Sequence, residues 1–335
     1  MEGATSSRHQ LGWVALVVLL GASSAWAAPC TVSDPCTEFV TIAGGPSRAL
    51  VYRTYALKSL NESITQALVV IQGAERDPAA EFQTAIAAAV KAGTLDATLI
   101  VAPRFAANVG SACTDTLAAN ELNWNCDVQL QDWRGGGGAV SSKEIAAFDV
   151  VDEVLVGLSN KALFPRLRAI VVVGHSAGGQ FVTNYQMANR VHERLGLNLT
   201  YVAANASAYA YPDSERPVAF NRTECPPYAT WPFGFAARTG YAARLSQEEL
   251  TKQAAQRPAT YLVGERDVQW IGGYYGTCAG MAQGATRMER GLAFARHMSE
   301  RYGAQHTAIV IPGCGHSSRC MLTSDRALAA LFPRQ

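Results

Sequence analysis

Short runs of almost purely apolar residues recur along this chain, and stretches with helical periodicity separate them. These runs lack the alternation of polar and apolar residues that marks a sheet with one wet face, so they indicate strands buried on both faces. Strands that alternate with helices predict a mostly parallel central sheet with helices on both sides. The predicted strands are 38–42, 48–54, 67–71, 97–102, 169–173, 200–204, 259–263 and 307–311, and the predicted helices are 79–91, 142–158 and 180–195.

The composition is that of a globular protein with a substantial core. Of the 335 residues, 49% are hydrophobic and 16% are charged, which excludes a disordered chain. The formal net charge of +1 provides no basic field for nucleic acid and no polybasic run for an anionic membrane surface. We therefore expect no nucleic-acid partner and no stable membrane insertion. The rhythm of elements predicts a single α/β domain over 28–335, and the oligomeric state stays open.

Residues 1–27 are typical of a secretory signal peptide. Arg8 and His9 precede the apolar run 11–22, and Ala25-Trp26-Ala27 places small residues where a signal peptidase cleaves. The alternative is a membrane anchor, but the run is shorter than the ~20 residues that span a bilayer. We predict a secreted protein, or a periplasmic one if the source is bacterial.

Eight cysteines follow the predicted cleavage point, and this even number fits an oxidising compartment. The competing interpretation is a metal site, but no CxxC pair or cysteine and histidine cluster with zinc spacing is present. The connectivity is open from sequence, and we favour four local disulfides: Cys30 with Cys36, Cys113 with Cys126, Cys225 with Cys278, and Cys314 with Cys320.

Four sequons of the Asn-X-Ser/Thr type begin at Asn61, Asn198, Asn205 and Asn221. Such sequons are glycosylated only if the host modifies its exported proteins. They agree with export and with a glycoprotein, and they do not identify the organism.

Two stretches depart from the strand and helix pattern and are predicted to be loop or cap insertions. They are 104–140, with a cysteine pair and four consecutive glycines, and 207–245, which is rich in Pro, Tyr, Trp and Phe. Both follow the presumed carboxyl ends of strands, the edge at which open parallel sheets bind ligands. We expect these insertions to wall the site; the alternative is surface loops pinned by disulfides.

The most informative motif is Gly174-His175-Ser176-Ala177-Gly178, a GxSxG pattern. The pattern alone is weak evidence, but here a β-branched run enters it and a helical pattern leaves it. That context predicts a sharp turn that lifts the serine hydroxyl above the sheet, with glycines where side chains would collide with the neighbouring strand and helix. The helix N-terminus then points its free N–H groups at a developing oxyanion. Ser176 is the predicted nucleophile.

A serine hydroxyl is inert near neutral pH unless a base takes its proton. His316 is the best placed of six histidines, because it follows the last predicted strand on a loop that Cys314 and Cys320 would close. His175 adjoins the serine but should point away at the turn. The remaining histidines lie in the leader or on or beside helices: His9, His192, His297 and His306.

The imidazole in turn needs a carboxylate that fixes its tautomer and stabilises its charged form. Asp267 is the favoured acid, since it follows the strand before the histidine's strand and completes the chain order Ser, Asp, His. Glu265 and Asp213 are the fallback acids.

The tetrahedral intermediate requires two preorganised N–H donors. The backbone of Ala177 is one candidate. The second is expected in Gln72-Gly73-Ala74, directly after the strand 67–71, with Ala74 preferred over Gly73. The alternative is that this tripeptide is a plain tight turn.

Together these residues resemble the α/β-hydrolase superfamily, and the likeness extends over nearly all of 28–335. The matching pieces are the 174–178 elbow, Gln72-Gly73-Ala74 at the oxyanion position, 264–267 and 313–316. The form Gly-His-Ser-Ala-Gly-Gly is similar to that of many secreted esterases. Gln72 is a departure, because many members carry histidine there in a His-Gly pair.

The resemblance implies a serine hydrolase that forms an acyl-enzyme on Ser176 while His316 accepts the serine proton. Ala177 and Ala74 would hold the oxyanion, and water activated by His316 would release the acyl group. The reaction needs no metal or organic cofactor. By analogy with the many esterases on this fold, we expect a small-molecule or polymeric ester substrate.

Two other functions stay open: a secreted serine peptidase or amidase on the same fold, and a catalytically silent binding module. The presence of all three triad residue types counts against a silent module. Several aromatic residues would suit either an apolar substrate pocket or plain packing: Trp231, Trp270 and Tyr274, together with Phe233, Phe235 and Tyr275.

Overall fold

The computed structural model describes residues 1, 3, 28–111, 113–126, 132–269 and 276–333. The predicted signal peptide, apart from Met1 and Gly3, lies outside the described residues. Within the described part of the chain, no helix has the length and apolar character needed to cross a bilayer.

An eight-stranded sheet forms the centre, with the strand order β1-β2-β4-β3-β7-β8-β9-β10. Strand β2 is antiparallel to both of its neighbours, and every other pair of neighbours is parallel. The mostly parallel sheet predicted from the apolar runs is therefore confirmed. Its strands are β1 Thr37–Thr41, β2 Arg48–Arg53, β3 Gln66–Ile71, β4 Thr98–Pro103, β7 Ala169–His175, β8 Asn198–Ala204, β9 Ala259–Gly264 and β10 His306–Ile311, and a small separate sheet pairs β5 Ala106–Val109 with β6 Asn123–Asn125.

Helices cover both faces of the central sheet. Those found in the described residues are α1 Pro78–Ala92, α2 Ala147–Leu158, α3 Ala177–Ala188, α4 Gln247–Gln256, α5 Cys278–Met281, α6 Arg287–Tyr302, α7 Ser318–Leu322 and α8 Asp325–Leu331. Side chains from α2, α3, α4 and α6 belong to one apolar cluster with one face of the sheet. Side chains from α1, α7 and α8 belong to a second cluster on the opposite face.

Strand β3 shows why both faces are closed, since all six of its residues are buried. Successive side chains of a strand point to opposite faces. Val69 and Ile71 accordingly join the cluster that contains α2 and α3, whereas Leu68 and Val70 join the cluster that contains α1. Burial of each such side chain stabilises the fold by about 1.5–3 kcal/mol, so the absence of polar residues in these runs has a direct energetic cause.

Two helices differ from their predicted bounds, 142–158 and 180–195. Helix α2 begins at Ala147 rather than at 142, because the Asp149 carboxylate accepts a hydrogen bond from the Ala146 N–H at 2.7 Å and caps the helix there. Helix α3 begins at Ala177, directly after the sharp turn, and ends at Ala188 rather than at 195. Its end is fixed by Asn189, whose side-chain amide donates to the Tyr185 carbonyl at 2.8 Å.

The four predicted disulfides are all present, joining Cys30 to Cys36, Cys113 to Cys126, Cys225 to Cys278 and Cys314 to Cys320. The first and last enclose short loops, each with a sequence separation of 6. The last encloses the loop between β10 and α7, which carries His316.

Candidate active site

Ser176 lies on a sharp turn between β7 and α3, with φ 58° and ψ −117°. Its N–H donates to the Ala204 carbonyl at 2.9 Å, which ties the turn to β8. A Cβ on Gly174 would stand 2.4 Å from the Gly178 carbonyl, and one on Gly178 would stand 2.4 Å from the Ile71 carbonyl. Both glycines are thus required by close backbone approach, and the predicted collisions are confirmed.

The imidazole of His316 contacts Ser176, although the two residues are 140 positions apart in the sequence. Its Nε2 lies 2.9 Å from the Ser176 Oγ, and its Nδ1 lies 2.8 Å from the Asp267 Oδ2. An ionised carboxylate only accepts hydrogen bonds, so Nδ1 carries the imidazole proton and Nε2 is left to accept from the serine hydroxyl. The structure therefore brings together the three side chains predicted as nucleophile, base and acid.

Asp267 is held by a buried ion pair that sequence analysis missed. The Arg287 guanidinium on α6 donates from Nη1 to the Asp267 Oδ1 at 3.2 Å, and both side chains are fully buried. The same guanidinium donates from Nε to the Ser207 Oγ at 3.2 Å. Removing one partner of such a pair costs about 3–5 kcal/mol, because the other charge is left uncompensated. Arg287 therefore holds the Asp267 carboxylate in its orientation toward the imidazole.

The two fallback acids, Glu265 and Asp213, make their contacts away from the His316 imidazole. The exposed Glu265 accepts a hydrogen bond from the Gly313 N–H at 2.8 Å and so braces the turn before the histidine. Asp213 accepts from the Tyr302 hydroxyl at 2.7 Å and pairs with Arg301 at 2.6 Å. Neither carboxylate contacts His316, so Asp267 alone of the three candidates is placed to orient the base.

Asn205, directly after β8, joins three strand ends and is fully buried. Its Oδ1 accepts from the Gly264 N–H at 2.8 Å, and its Nδ2 donates to the Gly315 carbonyl at 3.1 Å. Its φ of 47° lies in the left-handed region, which asparagine tolerates better than most residues. Asn205 thus links the turn that leads to Asp267 with the loop that carries His316. The predicted sequon at Asn205 is inaccessible in this fold.

His175 was predicted to point away from the site at the turn. The structure shows that this prediction is wrong. His175 follows Val173 by two residues, and Val173 faces the side of the sheet on which α1 and α7 pack. Its ring therefore packs against the His316 ring, with centroids 4.6 Å apart. Burial, together with the nearby His316 and Arg287, lowers the pKa of His175 well below its ordinary value. His175 stays neutral beside the His316 imidazole.

The segment after β3 contains Gly73 and Ala74, the residues predicted to offer an N–H group to the oxyanion. Gly73 and Ala74 line the cleft beside Ser176. Among the described residues, none accepts a hydrogen bond from the Ala74 N–H, and the Ala177 N–H lies in the first turn of α3 without an intrahelical partner. Both N–H groups therefore remain the candidates for holding an oxyanion.

Gln72, which stands where a His-Gly pair would have its histidine, braces the backbone after β3. Its Nε2 donates to the Phe105 carbonyl, and its Oε1 accepts from the Phe105 N–H, each at 3.2 Å. This two-way amide contact fixes the end of β3 against the segment after β4. Gln72 is fully buried, so it holds the backbone of the neighbouring glycine without entering the cleft.

The cleft above Ser176 has a volume of about 360 Å³. Three segments line it among the described residues: the turn after β3 with the first turn of α1, the elbow, and the loop after β10. A larger depression of about 690 Å³ lies beside Asp152, on α2, and the far end of α3, and it contains neither Ser176 nor His316. The hydroxyls of Tyr185 and Tyr241 donate to the Asp152 carboxylate at 2.6 and 2.5 Å. The cleft at the serine is therefore the catalytic candidate.

Comparison with protein-family models and with curated protein sequences found no match. Solved structures do match. A poly(3-hydroxybutyrate) depolymerase, LpqC, from Bordetella parapertussis is 18% identical, with a TM-score of 0.59 over 85% of this chain and 84% of its own. Poly(aspartic acid) hydrolase-1 from Sphingomonas sp. KT-1 is 19% identical, with a TM-score of 0.62 over 88% of this chain and 98% of its own. The chain has the α/β-hydrolase fold.

Of the three residues predicted for an aromatic substrate pocket, only Trp231 lies in the described part of this α/β-hydrolase fold. Trp231 is 2% exposed and lies in the core, where its Nε1 donates to the Gly135 carbonyl at 2.8 Å. It does not line the cleft beside Ser176. Indole N–H groups need a partner when buried, and the glycine-rich segment supplies one. Trp270 and Tyr274 lie outside the described residues.

The insertion 104–140 contributes to the core of the α/β-hydrolase fold rather than to the described wall of the cleft. Phe105 packs face to face with Trp133, at a centroid distance of 5.3 Å, and edge to face with Trp124 at 5.3 Å. Phe181 on α3 packs against Phe105 at 5.2 Å. This aromatic cluster supports α3 directly behind the elbow.

In residues 28–111, 113–126, 132–269 and 276–333, no group of three or more His, Cys, Asp or Glu side chains is arranged to hold a metal ion. The His316 imidazole and the carboxylates of Asp267 and Glu81 hydrogen-bond to one another, to a serine or to an arginine. The chemistry open to this arrangement is proton transfer and nucleophilic attack by Ser176.

Proposed function

We propose that this chain is a secreted serine hydrolase that cleaves carboxylic esters through an acyl-enzyme on Ser176. The single observation that carries the proposal is the continuous contact from the Ser176 Oγ to His316 Nε2, and from His316 Nδ1 to the Asp267 carboxylate, at 2.9 and 2.8 Å. A silent binding module has no need of such a relay.

The first half of the reaction forms the acyl-enzyme. As the Ser176 Oγ attacks the ester carbon, its proton passes to the His316 Nε2, and Asp267 stabilises the imidazolium that results. The N–H groups of Ala177 and Ala74 donate hydrogen bonds to the former carbonyl oxygen and stabilise its negative charge. The imidazolium then gives its proton to the leaving alcohol as the carbon–oxygen bond breaks.

The second half returns the enzyme to its starting state. His316 takes a proton from water, the hydroxide attacks the acyl carbon, and the serine oxygen leaves with the proton held by the imidazole. The substrate is a small-molecule or polymeric ester; one structural neighbour is named a depolymerase of poly(3-hydroxybutyrate). Secretion is supported by the disulfides and by the leader-like residues 1–27.

The proposal is tested with a fluorophosphonate probe on the purified protein, beside Ser176→Ala and His316→Ala. We expect labelling of the unaltered protein alone, and loss of the nucleophile should lower kcat about 10⁶-fold. A panel of p-nitrophenyl esters with acyl chains of increasing length, run against aminoacyl anilides and a polyester film, then identifies the substrate class. Equal labelling of Ser176→Ala would refute the proposed nucleophile, and anilide cleavage at the ester rate would favour a peptidase.

A further inference from the structure

A buried carboxyl group that takes no part in the triad lines the catalytic cleft. Glu81, in the first turn of α1, is 8% exposed and lines the cleft together with Ser176 and His316. Its Oε2 accepts a hydrogen bond from the Ser318 hydroxyl at 2.5 Å. Its Oε1 lies 4.0 Å from the position that a Cβ on Gly73 would take, and no described residue hydrogen-bonds to it. One carboxylate oxygen is therefore anchored, and the other faces the substrate space.

The charges around Glu81 have one sign. Glu75 and Asp77 line the same cleft, and no lysine or arginine is among its described lining residues. Lys91, the basic residue of α1, lies in the last turn of that helix and pairs with Asp325. A cleft lined by one sign of charge attracts substrates of the opposite sign and repels those of its own.

The position of Glu81 relative to the base indicates which part of an ester it meets. The leaving alcohol must lie beside His316, because that imidazole gives the alcohol its proton. Ser318 follows His316 by two residues, and both lie within the ring closed by the Cys314–Cys320 disulfide. Glu81 is hydrogen-bonded to Ser318. Glu81 therefore lies on the side of the scissile bond where the leaving alcohol binds.

We propose that Glu81 determines substrate specificity by binding a positively charged ammonium group on the alcohol portion of the ester. This inference rests on the proposed function. Acyl transfer itself is unchanged: the Ser176 oxygen bonds to the acyl carbon, the bond to the alcohol breaks, and the serine proton reaches the alcohol oxygen through His316. Glu81 contributes the charge that holds the alcohol in place during that transfer. Esters of carboxylate-bearing alcohols are disfavoured by the same charge.

The selectivity should depend on pH. Burial raises the pKa of Glu81 to about 7; the nearby Asp77 and Glu75 also raise it, and the hydrogen bond from Ser318 lowers it. The carboxyl group gains charge as pH rises through this range, so preference for a cation grows with pH. His175, which also faces the cleft, stays neutral. The ratio of kcat/KM for a cationic ester to kcat/KM for an uncharged ester of the same shape therefore reports the charge on Glu81.

The test compares a choline ester with the 3,3-dimethylbutyl ester of the same acid, which has the same shape without the charge. We expect the unaltered enzyme to prefer the choline ester about tenfold or more in kcat/KM at pH 8, and to lose most of this preference at pH 6. Glu81→Gln should lower the ratio at pH 8 to about its value at pH 6, because only Glu75 and Asp77 then remain as carboxylates lining the cleft. Glu62→Gln, which removes an exposed charge ahead of β3, should leave the ratio unchanged.

Two further measurements keep the inference separate from the proposed function and from folding. Ser318→Ala removes the bond that lowers the Glu81 pKa, so the midpoint of the pH-dependent ratio should move to higher pH. Binding of the choline ester to Ser176→Ala, measured by calorimetry, should weaken about tenfold when Glu81→Gln is added. Equal ratios in Glu81→Gln and the unaltered enzyme, or equal binding in the two serine variants, would overturn the assignment of Glu81. Failure of any ester to be cleaved, with binding intact, would instead overturn the proposed function.

Discussion

The side-chain amide of Asn205 donates a hydrogen bond to the main-chain oxygen of Gly315, the residue directly before His316, over 3.1 Å. The same side chain accepts from the Gly264 N–H, three residues before Asp267. One buried amide therefore sets the relative position of the base and its acid, although it touches neither.

We expect Asn205→Asp to lower kcat about 100-fold, because displacement of a catalytic group by about 1 Å has an effect of that size. The aspartate keeps the acceptor for Gly264 but places a carboxylate against the Gly315 carbonyl, so the histidine loop is pushed away. Steady-state kinetics and a thermal melt measure activity and folding separately. The matched control is Asn198→Asp at the exposed start of the same strand, which should leave kcat within twofold. An unchanged kcat in Asn205→Asp would mean that the loop is held by other contacts.

Replacement of Asp267 by Asn should lower kcat about 10⁴-fold, since an amide in this place favours the wrong tautomer of the imidazole. The ester panel at saturating substrate measures this loss. Asp213→Asn and Glu265→Gln are matched controls, because both residues were plausible acids from sequence and neither contacts His316. A larger loss in either control than in Asp267→Asn would show that the acid is wrongly assigned.

The disulfides Cys314–Cys320 and Cys30–Cys36 enclose loops of equal length but differ in their distance from the triad. Replacing either pair with serines should lower the free energy of unfolding by about 2 kcal/mol, the chain-entropy value for so short a loop. Only the loss of Cys314–Cys320 should also reduce kcat, by about 10- to 100-fold, because His316 lies inside that ring. Urea unfolding and kinetics on the two double variants provide the comparison. Equal kcat in both would show that the ring does not position the base.

Acid should destabilise the protein through His306. This residue accepts a hydrogen bond at Nδ1 from the Tyr261 hydroxyl at 2.8 Å and donates from Nε2 to the Arg257 carbonyl at 3.2 Å. Burial lowers its pKa to about 4, whereas in the unfolded chain it takes a proton near pH ~6.5. Below pH ~6.5 the unfolded state therefore binds more protons, and stability falls as pH falls.

From pH 7 to pH 5 this single group should account for a loss of about 2 kcal/mol. His306→Gln cannot take up the proton, so its free energy of unfolding should change with pH by that much less. Urea unfolding at the two pH values measures the difference, and a nuclear magnetic resonance titration of the His306 ring should give a pKa below 5. An identical pH dependence in the variant would assign the acid sensitivity to other groups.

The strands and the triad were predictable because their signals are local. Each apolar run has to be buried on both sides, and the run 169–173 leads directly into the elbow, so the strand edge that carries Ser176 could be read from consecutive residues. His316 and Asp267 each follow such a run, and the parallel sheet brings the carboxyl ends of its strands to one edge.

The supporting polar residues were harder to predict, because their partners are distant in the chain. Arg287 meets Asp267 only through the packing of α6, although its spacing with Arg290, Phe294 and Met298 places it on the buried face of that helix and was a usable signal. Glu81 likewise shares the buried face of α1 with Ala85. Helices α4 and α6 were missed because at least half of the residues in each are polar and only a narrow apolar stripe faces the sheet.

The buried amide of Asn205 also belongs to an Asn-Ala-Ser acceptor signal. A cell that attaches oligosaccharides to nascent chains could place a sugar on this nitrogen before the strands around it have closed. A modified Asn205 could no longer dock against Gly315, so the triad would not assemble in that fraction of molecules. The choice of expression host therefore bears directly on specific activity, and a bacterial preparation should be more uniform in this respect than one from a glycosylating cell.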